Sequence, residues 1–166
     1  MKQNLILDHK AIVQKTKRIA HQIVEDNFDE KEIVMIGIQP TGYVFAEMLK
    51  KEIEAIAKIK IHLFSMVLDK LSPKTSTIEL DLKGIALDKR NVLLVDDVAN
   101  TGKTMFYALS PILAFSPKKV QVAVLIDRLH KQFPISSDFV GLSLSTTLKE
   151  QILVKHEKSK FSAYLT

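Results

Sequence analysis

The sequence contains no cysteine, which excludes disulfides and thiolate metal sites. It also lacks any apolar run near the ~20 residues that a membrane-spanning helix requires. Its opening residues, Met-Lys-Gln-Asn-Leu-Ile-Leu-Asp, do not form the long apolar stretch of a signal peptide. There is no internal repeat, no low-complexity linker and no excess of acid: 24 Lys and Arg stand against 19 Asp and Glu, a formal net charge of +5. These absences lead to the expectation of a cytoplasmic protein without a membrane partner, built as one domain over residues 1–166. That length suits a single unit with a sizeable buried core. Apolar residues are 46% and charged residues 26% of the chain, an ordinary balance for a globular protein. The positive excess favours anionic partners, phosphorylated metabolites or nucleic acid, without choosing between them.

The hydrophobic spacing divides the chain into alternating elements. Residues 8–27 read as an amphipathic helix, with Asp8 as N-cap and Ile12, Ile19, Ile23 and Val24 on one stripe. Residues 33–38 form a short apolar run closed by Gly37 and Pro40, a buried strand and a turn. Helical spacing returns over 43–56, and 58–67 alternates like a strand with one wet face. The polar stretch 69–77 reads as a mobile loop, followed by a short strand over 78–82. Residues 91–95 are a continuous apolar run, the pattern of a central parallel strand. A helix kinked or broken near Pro111 is predicted over 101–115, a buried strand over 120–126, and two short strands over 138–144 and 151–155. The alternation implies an α/β fold with a mainly parallel central sheet flanked by helices. Ligands in such sheets sit beyond the carboxyl ends of the strands.

The chemistry concentrates in Val92-Leu-Leu-Val-Asp-Asp-Val-Ala-Asn-Thr-Gly-Lys-Thr104. A buried strand runs into two adjacent acids, Asp96 and Asp97, which are costly in an apolar setting unless paired. There they suit sugar hydroxyls or a divalent cation. A helix cap would account for one of them at most. The following turn offers the Thr101 and Thr104 hydroxyls, backbone N–H groups around Gly102 and a helix start, a ready phosphate site. The Gly-Lys-Thr triplet is not a P-loop, because that pattern needs glycine where Asp97 stands.

Asp-Asp-Val-x-x-Thr-Gly-x-Thr after four apolar residues resembles the phosphoribosyl pyrophosphate motif of type I phosphoribosyltransferases. The resemblance implies their fold, with a small hood. It implies that Asp96 and Asp97 bind the ribose hydroxyls, and that Thr101, Gly102, Lys103 and Thr104 hold the 5′-phosphate. Ala99 and Asn100 complete the loop, and Asp96 and Asp97 would meet magnesium mainly through the substrate. The position of Asn100 is usually an aspartate near the base in the purine-salvage branch. Asparagine cannot act as a general base, which counts against a purine.

A closer resemblance covers nearly the whole chain. Leu5-Ile-Leu-Asp-His-Lys-Ala-Ile, Arg18-Ile-Ala-His21, Gly37-Ile-Gln-Pro-Thr-Gly42, Leu68-Asp-Lys-Leu-Ser, Ala123-Val-Leu-Ile-Asp-Arg-Leu-His130, Pro134, Asp138-Phe-Val-Gly141 and Thr146-Thr147 follow one order. That order resembles the pyrimidine operon regulator/uracil phosphoribosyltransferase family. The resemblance implies a pyrophosphate loop at Gln39, Pro40, Thr41 and Gly42, and a closing loop with Asp69 and Lys70 in catalytic roles. It further implies a base site at Asp127, Arg128, Thr146 and Thr147, and a messenger-RNA face with Lys17, Arg18 and His21. Homodimers are implied too. Lys155, Lys158 and Lys160 add charge near the chain end, while Asp26 stands where the family often has arginine. A solvated helix face explains such lysines equally simply.

The activity so implied makes UMP and pyrophosphate from uracil and phosphoribosyl pyrophosphate. The closing loop would exclude water from an oxocarbenium-like transition state. One departure bears on it: Gln39 and Thr41 stand where the family has lysine and arginine. A hydrogen bond to a charged group is worth roughly 1.5–3 kcal/mol. Its loss in the transition state would slow turnover on the order of tenfold to a hundredfold. Lys70 or Lys74 would then have to compensate. A cis Gln39–Pro40 bond is a further expectation for this loop. Three readings stay open: a uracil phosphoribosyltransferase, a nucleotide-sensing RNA-binding regulator with weak or no catalysis, and salvage of another base.

Overall fold

The computed structural model of the chain describes residues 3–73 and 77–166. Lys74, the alternative compensating cation, lies outside the described residues. Helix α1 (His9–Asp26) begins where expected, since the Asp8 Oδ1 accepts a bond from Ala11 N–H at 2.8 Å. Ile12, Thr16, Ile19, Ala20 and Ile23 form its buried stripe. No helix among the described residues is long and apolar enough to cross a membrane.

Six strands form the main sheet. They are β2 (Glu32–Ile38), β3 (Lys60–Val67), β4 (Glu79–Leu80), β5 (Asn91–Ala99), β6 (Lys119–Arg128) and β7 (Phe139–Leu144). Their order is β4-β3-β2-β5-β6-β7, parallel throughout except for the two-residue β4. Strand β5 is buried along almost its whole length, because neighbours flank it and both faces are covered. Alternation splits its side chains. Leu93 and Val95 join the core under α1 and α2 (Thr41–Ile56), with Ile19, Phe45 and Leu49. Val92 and Leu94 join the opposite core with Ile36, Val124, Met105 and Ile112. The parallel strands all discharge their loops at one edge, where the site lies.

A second, three-stranded antiparallel sheet is ordered β1-β9-β8: β1 (Asn4–Leu7), β9 (Lys160–Leu165) and β8 (Ile152–Glu157). This is the expected hood. The sequence reading placed a strand near β8 but missed β1 and β9, which are short and pair only with each other and with β8. Phe161, Ala163 and Val154 anchor the hood in the core beneath α1.

Two boundaries also need correcting. The helix expected over 101–115 is only α3 (Lys103–Ala108). Beyond it the chain continues in tight turns, with Ser110 N–H donating to Tyr107 O and Ile112 N–H to Leu109 O. Pro111 lacks a donor and crowds the preceding turn, so the helical ladder cannot continue. Strand β5 runs on to Ala99 rather than ending at Val95, so both acids are strand residues and not loop residues.

Candidate functional site

Asp96 and Asp97 lie at the carboxyl end of β5, and parallel pairing sets Asp96 opposite Val124 and Ala99 opposite Asp127 on β6. Successive strand residues point to opposite faces, so the two acids are differently placed. Asp97 lines a cavity of about 540 Å³ at the sheet edge. Asp96 is 1% exposed and is packed against the start of α2. A Cβ at Gly42 would lie 2.6 Å from Asp96 Oδ1 and 2.8 Å from its Cα. Only glycine permits that approach, which explains the residue at this point of the turn.

Lys70 reaches both acids from the loop after β3. Its Nζ donates to Asp96 Oδ1 at 2.7 Å and to Asp97 Oδ1 at 3.1 Å. Asp96 Oδ1 also accepts the Asp97 N–H at 2.9 Å, while Asp96 Oδ2 is buried with no hydrogen-bond partner among the described residues. Burial, and then the Asp97 charge, push the Asp96 carboxyl well above the usual carboxylate range, with Lys70 opposing them. Burial alone would lower Lys70, but the charges of Asp96 and Asp97 outweigh it and hold the ammonium above its ordinary value. The pair therefore carries an internal counter-ion that belongs to a loop.

No group of three or more His, Cys, Asp or Glu gathers as a metal cage among the described residues. The two carboxylates already accept one cationic group. A divalent ion in its place would need its remaining oxygen ligands from a bound ligand or water. The donor set thus fits magnesium shared with a substrate, and not a metal held by protein alone.

The turn after β5 is a nest of backbone donors. Gly102 has φ +85°, a left-handed conformation, and a Cβ there would meet Ile135 Cγ2 at 2.6 Å. The first α3 bond runs from Phe106 N–H to Gly102 O. The amides of residues 102 to 105 thus precede the helical ladder, and the Lys103 N–H goes to Thr101 Oγ1 at 3.3 Å. Thr101, Gly102, Lys103 and Thr104 all line the cavity, as do Ala99 and Asn100. Gln132 and Phe133 N–H groups donate to Thr101 O and brace the turn from behind. With α3 only six residues long, these amides and hydroxyls are a stronger attraction for an anion than a helix dipole would be.

Arg128, 6% exposed, ties three segments together. Its Nε donates to Thr146 Oγ1 at 2.6 Å, Nη1 to Asn100 Oδ1 at 2.9 Å and Nη2 to Thr147 O at 2.8 Å. Asp127 pairs with Lys131, whose Nζ also reaches Asn100 O at 3.3 Å. The Thr147 N–H donates to Glu150 at 2.7 Å, the main reason that carboxyl lies below its usual range. Asp127, Arg128, Thr146 and Thr147 are thus joined with Asn100, although none of the four lines the cavity itself.

The remaining expected residues divide. Thr41 lines the cavity, next to the cis Gln39–Pro40 peptide, and neither Gln39 nor Pro40 contributes to its wall. Asp69 is exposed and accepts the Leu71 N–H at 2.9 Å, shaping the loop that carries Lys70. Lys17, Arg18 and His21 are exposed on α1, away from the cavity lining. Arg18 is not simply presented to solvent: its Nη2 donates to the Val140 and Gly141 carbonyls of β7. Sequence reasoning missed Leu71, Val98, Met105 and the hood residues Ile152, Leu153 and Val154 as cavity walls. Their apolar character was visible, but nothing local placed the hood over the acids.

The phosphoribosyl transferase domain family matches residues 2–157. The bifunctional protein PyrR of Halalkalibacterium halodurans is 38% identical over 160 residues, covering 91% of this chain and 89% of that protein. The bifunctional protein PyrR of Bacillus subtilis is 34% identical over 163 residues, covering 91% and 88%. A solved hypoxanthine-guanine phosphoribosyltransferase from Bacillus anthracis superposes with a TM-score of 0.78 over 98% of this chain and 99% of that one. At 19% identity that likeness speaks to the fold alone. With the acid pair, the phosphate nest and the hood arranged as above, the chain is a type I phosphoribosyltransferase domain of the PyrR family.

Proposed function

We propose that the chain, acting as one domain, is a nucleotide-sensing regulator of pyrimidine genes that binds a phosphoribosyl ligand and messenger RNA, with weak or no catalysis. One observation carries this reading. The phosphoribose side keeps Asp97 and residues 101–104 on one cavity, with Asp96 buried behind it, while the adjoining pyrophosphate loop offers Gln39 and Thr41 and no cationic side chain. A ligand ending in a single 5′-phosphate is served by that site; a leaving diphosphate is served poorly. Residues 101–104 would take the 5′-phosphate through backbone N–H groups, and Asp97 would accept from the ribose hydroxyls. Asp96 and Asp97 would hold magnesium together with the ligand, and the ion would neutralise diphosphate charge when one is bound.

A second reading, the uracil phosphoribosyltransferase, keeps support from Lys70. Displaced from the acids by a sugar, its ammonium is free to meet a diphosphate and replace the missing loop cations. Calorimetry with UMP, and pyrophosphate release from phosphoribosyl pyrophosphate, magnesium and each base, separate the two. UMP binding with slow or absent uracil turnover supports the regulator. Fast uracil-dependent release shifts the assignment to the enzyme, and turnover with a purine base defeats both.

For RNA, salt-sensitive binding to a structured leader that weakens in Lys17→Ala and His21→Ala supports the α1 face. Arg18→Ala is the poorer probe, because it also strips two carbonyls of β7 of their donor. Sedimentation tests the accompanying expectation of a homodimer.

A further inference from the structure

Within the cavity, Asn100 stands between Ala99, at the end of the strand that carries Asp97, and Thr101, which opens the phosphate turn. Two cations hold it. Arg128 Nη1 donates to its side-chain oxygen at 2.9 Å, and Lys131 Nζ reaches its main-chain oxygen at 3.3 Å. Arg128 is itself immobilised by Thr146 Oγ1 and Thr147 O and is 6% exposed. A guanidinium has donors and no acceptor. Whatever part of an asparagine amide faces it must therefore be the oxygen, and the orientation of Asn100 follows from chemistry and not from atom labelling. With Oδ1 committed, the part of the side chain left for the cavity is the N–H2 group, which only donates.

We propose that Asn100 is a specificity-determining residue of this site: locked by Arg128, it shows the base a fixed hydrogen-bond donor. It favours bases that present an acceptor there, a ring carbonyl or an unprotonated ring nitrogen, and disfavours those that present N–H. Arg128 is the positioning residue. The inference rests on the nucleotide-binding reading. A ligand gripped at its ribose by Asp97 and at its phosphate by residues 101–104 has its base as the one part left to read.

Two substitutions give opposite orders for this role and for a merely structural one. Asn100→Asp keeps an oxygen for Arg128 but replaces the donor by a carboxylate. Asn100→Ala removes both. The readout is the affinity for UMP divided by that for ribose 5-phosphate, which has no base, so effects on the phosphoribose cradle cancel. Thermal melts of each variant report folding. A base-facing donor predicts a fall of about 3- to 10-fold in this ratio for Asn100→Ala, in line with one lost hydrogen bond. It predicts a larger fall for Asn100→Asp, where like acceptors face each other. A purely structural tie predicts the reverse, with Asn100→Asp close to the unmodified protein and Asn100→Ala impaired, and that order overturns the inference. If the unmodified protein binds neither UMP nor ribose 5-phosphate, the nucleotide-binding reading fails and this inference with it. Retained ribose 5-phosphate binding with an unchanged ratio in both variants overturns the base-facing role alone.

Discussion

Strands β5 and β6 lie side by side, run the same way and each carry charged residues near their carboxyl ends, yet those ends are built on opposite principles. At the end of β5 two like charges, Asp96 and Asp97, share one buried corner, and their counter-ion comes from a loop. At the end of β6 the charges alternate in sign. Asp127 is met by Lys131, and Arg128 spends its three donor positions on three different partners. The first arrangement leaves a buried carboxylate oxygen without a partner and a carboxyl far from its ordinary range. The second leaves little to exchange. A site that must admit a ligand needs the former, and a wall against which the ligand is read needs the latter. Low dielectric makes both consequential, since unpaired buried groups are costly and satisfied networks are rigid.

The comparison can be broken most severely at Gly42. Gly42→Ala drives a Cβ into Asp96, where a backbone atom at 2.8 Å cannot swing aside. A loss of about 2–4 kcal/mol in denaturant titrations is expected, with nucleotide binding abolished. Wild-type stability would show that the β5 end is softer than its geometry implies. Next comes Arg128→Ala at the rigid end, which removes the guanidinium donor from Asn100 Oδ1, Thr146 Oγ1 and Thr147 O. A cost of about 2–3 kcal/mol follows from losing the hydrogen bonds of a buried charged group, and the UMP to ribose 5-phosphate affinity ratio should fall with it. A change in stability with that ratio intact would confine Arg128 to scaffolding.

Lys70→Met tests the exchangeable end more gently. The lysine side chain is 34% exposed, so removing its charge should cost only about 1–2 kcal/mol, less than severing a fully buried pair. An equal or larger loss than for Arg128→Ala would erase the distinction between the two ends. The smallest effect has the opposite sign. Because burial and the Asp97 charge raise the folded-state pKa of Asp96, that group favours folding in acid and loses the advantage as pH rises through its folded value. Asp96→Asn removes the penalty present at neutral pH. It should stabilise the fold by about 1 kcal/mol, roughly 2–4 °C in Tm for a chain of this size. The gain should vanish as pH is lowered into the ordinary carboxylate range. A variant less stable at neutral pH would mean that the Lys70 pairing outweighs burial.

Legibility followed the same divide. The elements that announce themselves by periodicity were placed well: α1 with its Asp8 cap, the buried β2 and β6, and the α/β alternation. The helix after Gly102 was overdrawn, because Pro111 ends the ladder sooner than the apolar spacing suggests. Of the hood only a strand near β8 was seen: β1 is four residues long and its partner lies at the far end of the chain, and β9 is a six-residue return strand of a hairpin with β8. Among site residues, the run from Asp96 to Thr104 was readable because it is contiguous. Arg18 was assigned to an RNA face; it is exposed there, and the fold also gives its guanidinium two β7 carbonyls to serve, which no local pattern announces.

The sequence by itself determined the strand that delivers two acids, the turn whose glycine and threonines offer donors for an anion, and the lack of cations in the neighbouring loop. These are local facts, set by backbone conformation and by which side chains can or cannot carry charge. Only the tertiary structure decided that Lys70, 26 residues before Asp96, bridges the pair, and that Arg128, 28 residues after Asn100, fixes which end of that amide looks outward. Such choices depend on parallel register and on loops meeting at one sheet edge, and no pattern confined to neighbouring residues contains them.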